Sequence, residues 1–411
     1  MITSKKKRSL ITCSRFHSWI NGKIPSLNIV TEFFYVIPFI FSLKPKIRKM
    51  EERNMLLRKK ELLNVVEKAL HATNTTSTQE LHHCLRIRTD NNRLIAEGAS
   101  PSVTITAIKE CDESLEQLDI VVQAKMFKDI ITKCKDDISL ETTTKGVLKI
   151  KSGSMSFTTE YKSPAIWLVK PPFEEKESYQ LDSDFFKETA HCLSKRDNDK
   201  MNCYCLEVGE SGYQVTTLDG HRISIRNGIT QPNEETTAYV IQGSLLSLAM
   251  KFCGETLEIA LDNERIQFRS NEKEEQLILE GMLFSKDFFN ITKVLEGAKS
   301  SVSTSVTVNK SDLLEALSVT NMLSDCTILE TGKDFLKISN KRSPIGNTEN
   351  LISSNTDGKS LRIGLSGKFL EEAVRSMHSD EITLNFNGPK SPILMEEDGA
   401  IEFVLPITIA A

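Results

Sequence analysis

Residues 214–225 have the sequence Gln214-Val215-Thr216-Thr217-Leu218-Asp219-Gly220-His221-Arg222-Ile223-Ser224-Ile225. The alternating apolar residues predict a strand up to Leu218, a tight Asp-Gly turn, and a second strand that resumes at Ile223. Glycine suits this turn because it tolerates the positive φ that such turns need. The next two residues, His221 and Arg222, form either the solvated tip of the hairpin or one wall of a binding site. Most polar residues beside turns are simply exposed, so spacing alone favours the solvated tip.

The composition is that of an ordinary globular protein with several domains. At 411 residues the chain is too long for one small core, which indicates two to four domains. Its content of 39% apolar and 26% charged residues excludes wholesale disorder. The formal net charge of −4 provides no general attraction to nucleic acid. Any contact with DNA therefore requires basic residues that are segregated on one surface.

The nine cysteines do not form the pattern of a disulfide framework. Cys203 and Cys205 lie on one face of a predicted strand, and the chain contains no C-x-x-C pair. We therefore expect reduced thiols and neither a zinc site nor another cofactor.

The first 49 residues differ in character from the rest of the chain. They contain a basic run at residues 5–8 and an apolar stretch from Phe33 to Leu43. The apolar stretch is too short to span a bilayer and lies late for a signal peptide. A translated leader upstream of the true start, an amphipathic surface anchor and an unusual membrane tether all remain open. We favour the leader, with Met50 or Met55 as the initiator, which intact-mass analysis of protein from the native gene can test.

The remainder of the chain repeats one pattern three times. Each copy begins with a strand that leads into an amphipathic helix, and a second strand–helix–strand unit follows. The first helices of the three copies are predicted to begin near Glu61, Asp184 and Asp312. The second helices are predicted over residues 125–134, 244–253 and 368–377. We expect Ser183 and Ser311 to be helix N-caps, because an acidic residue follows each of them.

This repeat predicts an α+β fold of three like domains, each with two helices packed on antiparallel sheets. Its period of about 120 residues is far longer than that of a solenoid repeat. We predict domains over residues 53–175, 177–298 and 303–411. The linkers are predicted at residues 171–176 and 297–301, which are rich in proline and charge or in small polar residues.

Three such domains resemble the bacterial beta sliding clamp, the beta subunit of DNA polymerase III. Residues 217–223 are similar to the Thr-Asp-Gly-His-Arg-Leu signature of the middle domain of that family. Residues 403–409 resemble its closing apolar-Pro-apolar strand, and residues 391–394 resemble the strand before it. Residues 151–153 with Phe157 resemble the end of its first domain. The resemblance covers residues 53–409, nearly everything except the N-terminal extension.

The resemblance implies a head-to-tail homodimeric ring in which helices line a hole for duplex DNA and sheets form the outer wall. Such a ring needs only weak, sequence-independent contacts with phosphates, because closure prevents sideways dissociation. It also implies a non-catalytic accessory subunit of DNA polymerase III that keeps the polymerase on its template. The partners implied are the replicative DNA polymerase alpha subunit, the clamp-loader complex and other proteins with a clamp-binding motif. The expected location is the cytoplasm, in association with the nucleoid.

The resemblance further implies a hydrophobic cleft between the middle and last domains that holds a short partner peptide. Carried over by position, its residues are Met201, Leu218, Gly220, His221, Arg222, Ile223, Phe289, Lys293, Val294, Ser366, Phe369, Pro392, Phe403, Val404, Leu405, Pro406, Ile407 and Ile409. Aliphatic walls with a few polar groups at the rim suit a peptide anchored by leucine and phenylalanine.

Several positions depart from the family pattern. Leu218 stands where threonine is usual, Phe289 where proline is common, and Lys293 where arginine is common. Lys390 occupies a position that is commonly apolar, and residues 79–83 replace the usual Pro-Ile-Leu segment of the first domain. These departures predict a divergent clamp whose cleft is shallower or differently selective.

Basic residues accompany each predicted helix and are the candidates for contact with DNA. They are Arg58, Lys60, Lys125, Lys128, Lys133, Lys187, Lys195, Arg196, Lys251 and Lys368. Charged residues on helices are often simply solvated, and acidic residues are interleaved with these. For the dimer contact we predict that Phe157 of the first domain meets Met322 and Leu323 of the last domain.

Three other patterns do not support an active site. Residues 357–360 resemble the end of a phosphate-binding loop but lack its first glycine, so a turn is the better prediction. His82 and His83 would point to opposite faces of a strand, which argues against a shared metal. Asp219 and His221 lack a nucleophile elbow. One alternative stays open: a clamp-fold interaction protein, or decoy, that binds replication proteins without encircling DNA.

Overall fold

The computed structural model describes residues 53–135, 137–167, 170–196, 199–284, 287–340 and 344–408. The predicted N-terminal extension and Ile409 lie outside these residues. No helix within the described ranges is long and apolar enough to cross a membrane.

The described elements form three repeats of one order, in which a helix follows the first strand and another follows the fifth. The first repeat contains β1 (Arg53–Leu57), α1 (Lys59–Leu70), β2 (Cys84–Asp90), β3 (Arg93–Ala99), β4 (Val103–Glu110), β5 (Asp119–Gln123), α2 (Ala124–Lys133), β6 (Ile138–Thr142), β7 (Val147–Ser152) and β8 (Met155–Glu160).

The second repeat has the same order and is followed by an additional helix. It contains β9 (Glu177–Asp182), α3 (Ser183–Thr189), β10 (Cys203–Gly209), β11 (Gly212–Leu218), β12 (Arg222–Gly228), β13 (Thr237–Gln242), α4 (Gly243–Phe252), β14 (Thr256–Leu261), β15 (Arg265–Glu272) and β16 (Glu275–Met282), and then α5 (Thr292–Ser300).

The third repeat closes with one short extra strand. It contains β17 (Thr304–Asn309), α6 (Lys310–Asn321), β18 (Cys326–Thr331), β19 (Phe335–Asn340), β20 (Glu349–Gly358), β21 (Arg362–Ser366), α7 (Gly367–Ser376), β22 (Glu381–Phe386), β23 (Ile393–Glu397), β24 (Ala400–Val404) and β25 (Pro406–Ile407).

The sheets continue from one repeat into the next. An eight-stranded sheet joins the first two repeats where β4 pairs with β16, and a thirteen-stranded sheet joins the last two where β12 pairs with β24. The remaining strands of the first repeat form a four-stranded sheet in the order β1-β6-β7-β8. All of these pairings are antiparallel, and the prediction of three α+β domains is confirmed.

The core lies between the helices and the sheets. The helices turn apolar stripes inward, such as Leu62 and Val66 of α1 and Leu370 and Val374 of α7. Strands bury alternate residues, as β7 does with Leu148, Ile150 and Ser152. This packing explains why the apolar periodicity located the helices to within a few residues.

Some local predictions were wrong for identifiable reasons. The helix caps are Asp182 and Asn309 rather than Ser183 and Ser311, because those earlier side chains accept the free backbone N–H groups. Residues 297–300, predicted as linker, belong to α5. His82 and His83 lie in a 3-10 turn (Glu80–His83) rather than on a strand.

Candidate binding cleft between the second and third repeats

The predicted cleft lies where β12 pairs with β24. Arg222 is opposite Val404 and Ile223 is opposite Phe403 in this ladder. The backbone N–H of Leu405 also donates to the carbonyl of His221 at 2.9 Å. The hydrogen bonds therefore hold the end of the chain against the turn at residues 219–221.

The turn itself is shaped by the aspartate and glycine that the sequence indicated. Asp219 Oδ1 accepts from the backbone N–H groups of His221 at 2.9 Å and of Arg222 at 3.0 Å. Gly220 has a φ of +85°, and a Cβ there would lie 3.6 Å from the Met201 methyl carbon. A side chain at this position is disfavoured because of the backbone conformation rather than because of crowding.

Arg222 supports the cleft from within. Its side chain is 6% exposed, and its Nε donates to Asp219 Oδ2 at 3.1 Å. It also pairs with Glu372 of α7 and donates to the carbonyl of His191. Its guanidinium lies 4.0 Å from the centroid of the Phe369 ring. Arg222 therefore orients the wall of the cleft, whereas the neighbouring His221 is exposed and stacks at 5.9 Å on Phe369.

An apolar surface runs beside this wall. Leu295 and Ala298 of α5 pack on Ile223, Leu394 and Phe403. Exposed apolar side chains neighbour these residues along the chain: Val294 (47%) precedes Leu295, and Leu405 (36%) and Ile407 (40%) follow Phe403. Exposed apolar side chains next to a buried apolar cluster are candidates for contact with a partner.

The opposite wall contains one of the departures from the family pattern. Lys200 Nζ lies 4.3 Å from the centroid of the Phe289 ring, and Phe288 meets that ring edge-on at 5.6 Å. Lys200 precedes Met201, whose side chain approaches Gly220. An aromatic ring with a cation above it thus stands where the family commonly has proline.

The structure brings most of the predicted cleft residues together but does not expose all of them. Leu218, Phe403 and Val404 are buried and support the surface from below. Ser366 is the N-cap of α7, where it accepts from the N–H of Phe369 at 3.4 Å. The half-exposed or exposed members also include Lys293, Pro392 and Pro406.

Behind the cleft lies a buried ion cluster that the sequence did not predict. Arg226 is 1% exposed, and its Nη1 lies 3.0 Å from Oε1 of Glu402, which is equally buried. Its Nε lies 2.8 Å from Glu188 Oε2, and its Nη2 donates to the carbonyl of Ser376 at 2.8 Å. One arginine of the second repeat thus contacts α3, β24 and α7. The available signal was the alternation of Arg222, Ser224 and Arg226 on one face of β12.

The carboxylate of Glu402 is saturated by these contacts. Its Oε1 also accepts from the hydroxyls of Ser224 at 2.6 Å and Ser376 at 2.8 Å. Its Oε2 lies 3.1 Å from His191 Nε2. A buried carboxylate without such partners would be strongly destabilising.

Within the described residues one group could in principle hold a metal ion. Donor atoms of His191, Cys192 and Glu402 lie within 4.8 Å of one another. Burial raises the pKa of the Cys192 thiol well above its ordinary value, so the thiol stays protonated. Arg226 already neutralises Glu402. These residues fit an interdomain ion pair better than a metal site.

The basic candidates for DNA contact lie on or next to the helices. Lys125 and Lys133 are exposed on α2, and Lys128 lies 3.7 Å from Glu67 of α1. Three others are exposed but pair locally: Arg58 with Asp112 at 2.9 Å, Lys187 with Asp184 at 2.7 Å and Lys368 with Glu372 at 4.0 Å. The rest are exposed on or beside α1, α3 and α4: Lys60, Lys195, Arg196 and Lys251.

In comparisons with known proteins, this chain is similar to DNA polymerase III beta subunits, the beta sliding clamps. The family model for the C-terminal domain of the DNA polymerase III beta subunit matches residues 300–407. The beta sliding clamp of Staphylococcus epidermidis is 22% identical over 376 residues, covering 84% of this chain and 96% of the relative. That of Bacillus subtilis is 20% identical over 378 residues, covering 85% and 98%.

Solved structures share the fold. A putative DNA polymerase III beta subunit from Eubacterium rectale superposes with a TM-score of 0.77 at 25% identity, covering 87% of this chain and 99% of that one. The Helicobacter pylori beta clamp bound to a DNA ligase peptide superposes with a TM-score of 0.77 at 18% identity, covering 87% and 100%.

We predict that Arg226→Met lowers the free energy of unfolding by about 3–5 kcal/mol, because it leaves the buried Glu402 carboxylate unpaired. Urea denaturation measures the change. Arg226→Met with Glu402→Leu should recover part of the loss, and the exposed Lys333→Met is the control. An Arg226→Met protein as stable as the control would show that the cluster does not hold the junction.

Proposed function

The chain belongs to the bacterial DNA polymerase III beta-subunit family, the beta sliding clamps, as a divergent member, and we propose that two copies close into a ring around duplex DNA. Beta sliding clamps are non-catalytic processivity factors of DNA polymerase III. We further propose that the cleft described above holds peptides of replication and repair proteins, and that the protein acts in the cytoplasm on nucleoid DNA.

The observation that carries the proposal is the way consecutive repeats are joined. In both joints the fourth strand of one repeat pairs with the eighth strand of the next: β4 with β16 and β12 with β24. One eighth strand, β8, and one fourth strand, β20, then remain for a third joint of this kind. Within a single chain these two strands are not paired with each other, so a second copy can supply the missing partner in each direction.

β8 and the first half of β20 each have one side that no described strand covers. β8 pairs only with β7 among the described strands, and its residues alternate between half-buried and exposed. Residues 349–353 of β20 pair only with β19 among the described strands, whereas residues 354–358 pair with β17, and Leu351 is 63% exposed. Unpaired edges of this length invite strand pairing with another chain.

Helix ends meet at the existing joint in a way that supports the predicted dimer residues. His71, the C-cap residue of α1, stacks edge-on at 5.1 Å on Phe252 at the end of α4. Met322 is the corresponding C-cap residue of α6 and is 79% exposed. The corresponding helix α2 borders a cavity of about 380 Å³, whose lining combines apolar Met126, Ile130 and Phe157 with charged Lys125, Asp129 and Lys133. Met322 of one copy fits this cavity of the other.

Contact with DNA would come from the exposed lysines and arginines of the helices. Long cationic side chains spread over several helices suit contacts with phosphates rather than base readout. Because the whole chain is acidic, these contacts are weak and depend on salt, which suits a ring that slides.

The exposed strip of Val294, Leu405 and Ile407 suits a short apolar peptide, and His221 and Phe369 add an aromatic wall. A related clamp has been solved with a ligase peptide bound. For this chain we propose the polymerase alpha subunit, the clamp loader and other proteins with a clamp-binding motif as partners.

We predict that a labelled Gln-Leu-Ser-Leu-Phe peptide binds saturably and that Leu405→Glu weakens binding at least about tenfold, because it places a charge in an apolar contact. Fluorescence anisotropy measures this. The control is Ile229→Glu, since Ile229 is 93% exposed on another loop. Equal affinity of both variants would place the peptide site elsewhere.

We predict that the wild-type protein has twice the chain mass of 46.2 kDa in light scattering. Met322→Ala should shift it toward the monomer, because it removes the apolar side chain proposed to fill the cavity beside Phe157. Ile229→Ala should remain dimeric. A wild-type monomer that still binds the peptide would instead support the decoy alternative.

A further inference from the structure

The joint between the first and second repeats is built like the joint that forms the cleft. Val103 of β4 lies opposite Gly281 of β16, as Arg222 lies opposite Val404. The turn at residues 100–102 precedes β4 just as the turn at residues 219–221 precedes β12. Met282 ends β16 where Leu405 follows β24.

A groove lies at this equivalent position. It encloses about 450 Å³ between the turn at residues 100–102, the linker residues Lys170 and Pro171, and the strand end at Gly281 and Met282. Cavities of a few hundred Å³ are large enough for ligand side chains. Met282 is 44% exposed in the groove, as Leu405 is 36% exposed in the cleft.

The cations that line this groove are already paired. Lys170 Nζ lies 3.1 Å from Glu280 Oε1. Arg265 lies 2.7 Å from Asp262 and donates to the carbonyls of Pro171 at 3.1 Å and Pro172 at 2.7 Å. These pairs fix the linker against β15 and β16. They also engage both Lys170 and Arg265, which makes the groove a poor site for an anionic ligand.

The charge at the rim differs from that of the cleft. Glu264 is exposed beside the groove, and no ion pair to its carboxylate occurs within the described residues. The cleft instead exposes Lys293, for which no ion pair occurs within the described residues, and Lys368, which is 69% exposed and lies 4.0 Å from Glu372. The two sites therefore share an apolar anchor point but have rims of opposite charge.

We propose that this groove is a second peptide-binding site, which takes a linear segment with an apolar anchor followed by a lysine or arginine. The anchor packs on Met282, Pro101 and Pro171, and the cation pairs with Glu264. The inference rests on the proposed function, because it extends the peptide-binding role of the cleft to a groove of like construction. One chain then has two sites of different preference, and two different partners can bind it at once.

The test uses two peptides, Gln-Leu-Ser-Leu-Phe-Lys-Lys and Gln-Leu-Ser-Leu-Phe-Glu-Glu, titrated by calorimetry into the full chain. Leu405→Glu blocks the cleft, and Met282→Glu blocks the groove. Both replaced side chains are partly exposed, so the fold tolerates the change, and Ile229→Glu is the matched control.

We expect the Leu405→Glu protein to bind one equivalent of the Lys-tailed peptide per chain, about fivefold more tightly than the Glu-tailed peptide. Adding Met282→Glu should abolish this binding, and adding Glu264→Gln should reduce the preference to less than twofold. The proposal is overturned if the Leu405→Glu protein binds neither peptide, or if Met282→Glu leaves its binding unchanged. The Met282→Glu protein tests the cleft separately. If this variant binds neither peptide while the Leu405→Glu protein still binds, the proposed cleft is wrong and the groove is the peptide site.

Discussion

Backbone pairing between neighbouring repeats positions every site in this molecule. At each joint the fourth strand of one repeat donates and accepts hydrogen bonds across to the eighth strand of the next. The pairing brings the turn before β12 against the end of β24, which creates the cleft, and it brings the turn before β4 against the end of β16. It also leaves β8 and residues 349–353 of β20 with one side that a second copy can use. The pairing of sheets between repeats thus creates both sites and the free strand sides on which the proposed ring depends.

Side-chain contacts across a joint determine its register and its stability. A strand pair could slip by two residues and still keep its apolar face inward. At the second joint, the contacts of Arg226 with Glu402 and Ser376 of the third repeat form only in the observed register. Arg222 acts similarly nearer the surface, where it ties the turn to α7 and presents the ring of Phe369. The charged side chains therefore fix the geometry of the cleft, while the exposed apolar side chains supply its contact surface.

Much of this architecture follows from the sequence because it depends on local patterns. Each of these patterns is local and extends over no more than about a dozen residues: the Asp-Gly turn, the alternation in β11 and the periodicity of α2 and α7. The helix α5 was missed because Gly297, Ser300 and Ser301 favour a linker over a helix, a preference that the packing of Leu295 and Ala298 on Phe403 overrides. The ion cluster was missed because Glu402 lies 176 residues from Arg226 along the chain. The second groove depends on the pairing of β4 with β16, which no motif in the chain indicates.

Retention on closed and open DNA distinguishes a ring that encircles DNA from a protein that binds DNA from the side. The protein would be loaded on a nicked circular plasmid, and its release would be followed before and after a restriction enzyme linearises the plasmid. A ring should be released slowly from the circle and lost rapidly once free ends exist, because it can only slide off an end. Equal release from circular and linear DNA would show that the protein binds DNA from the side.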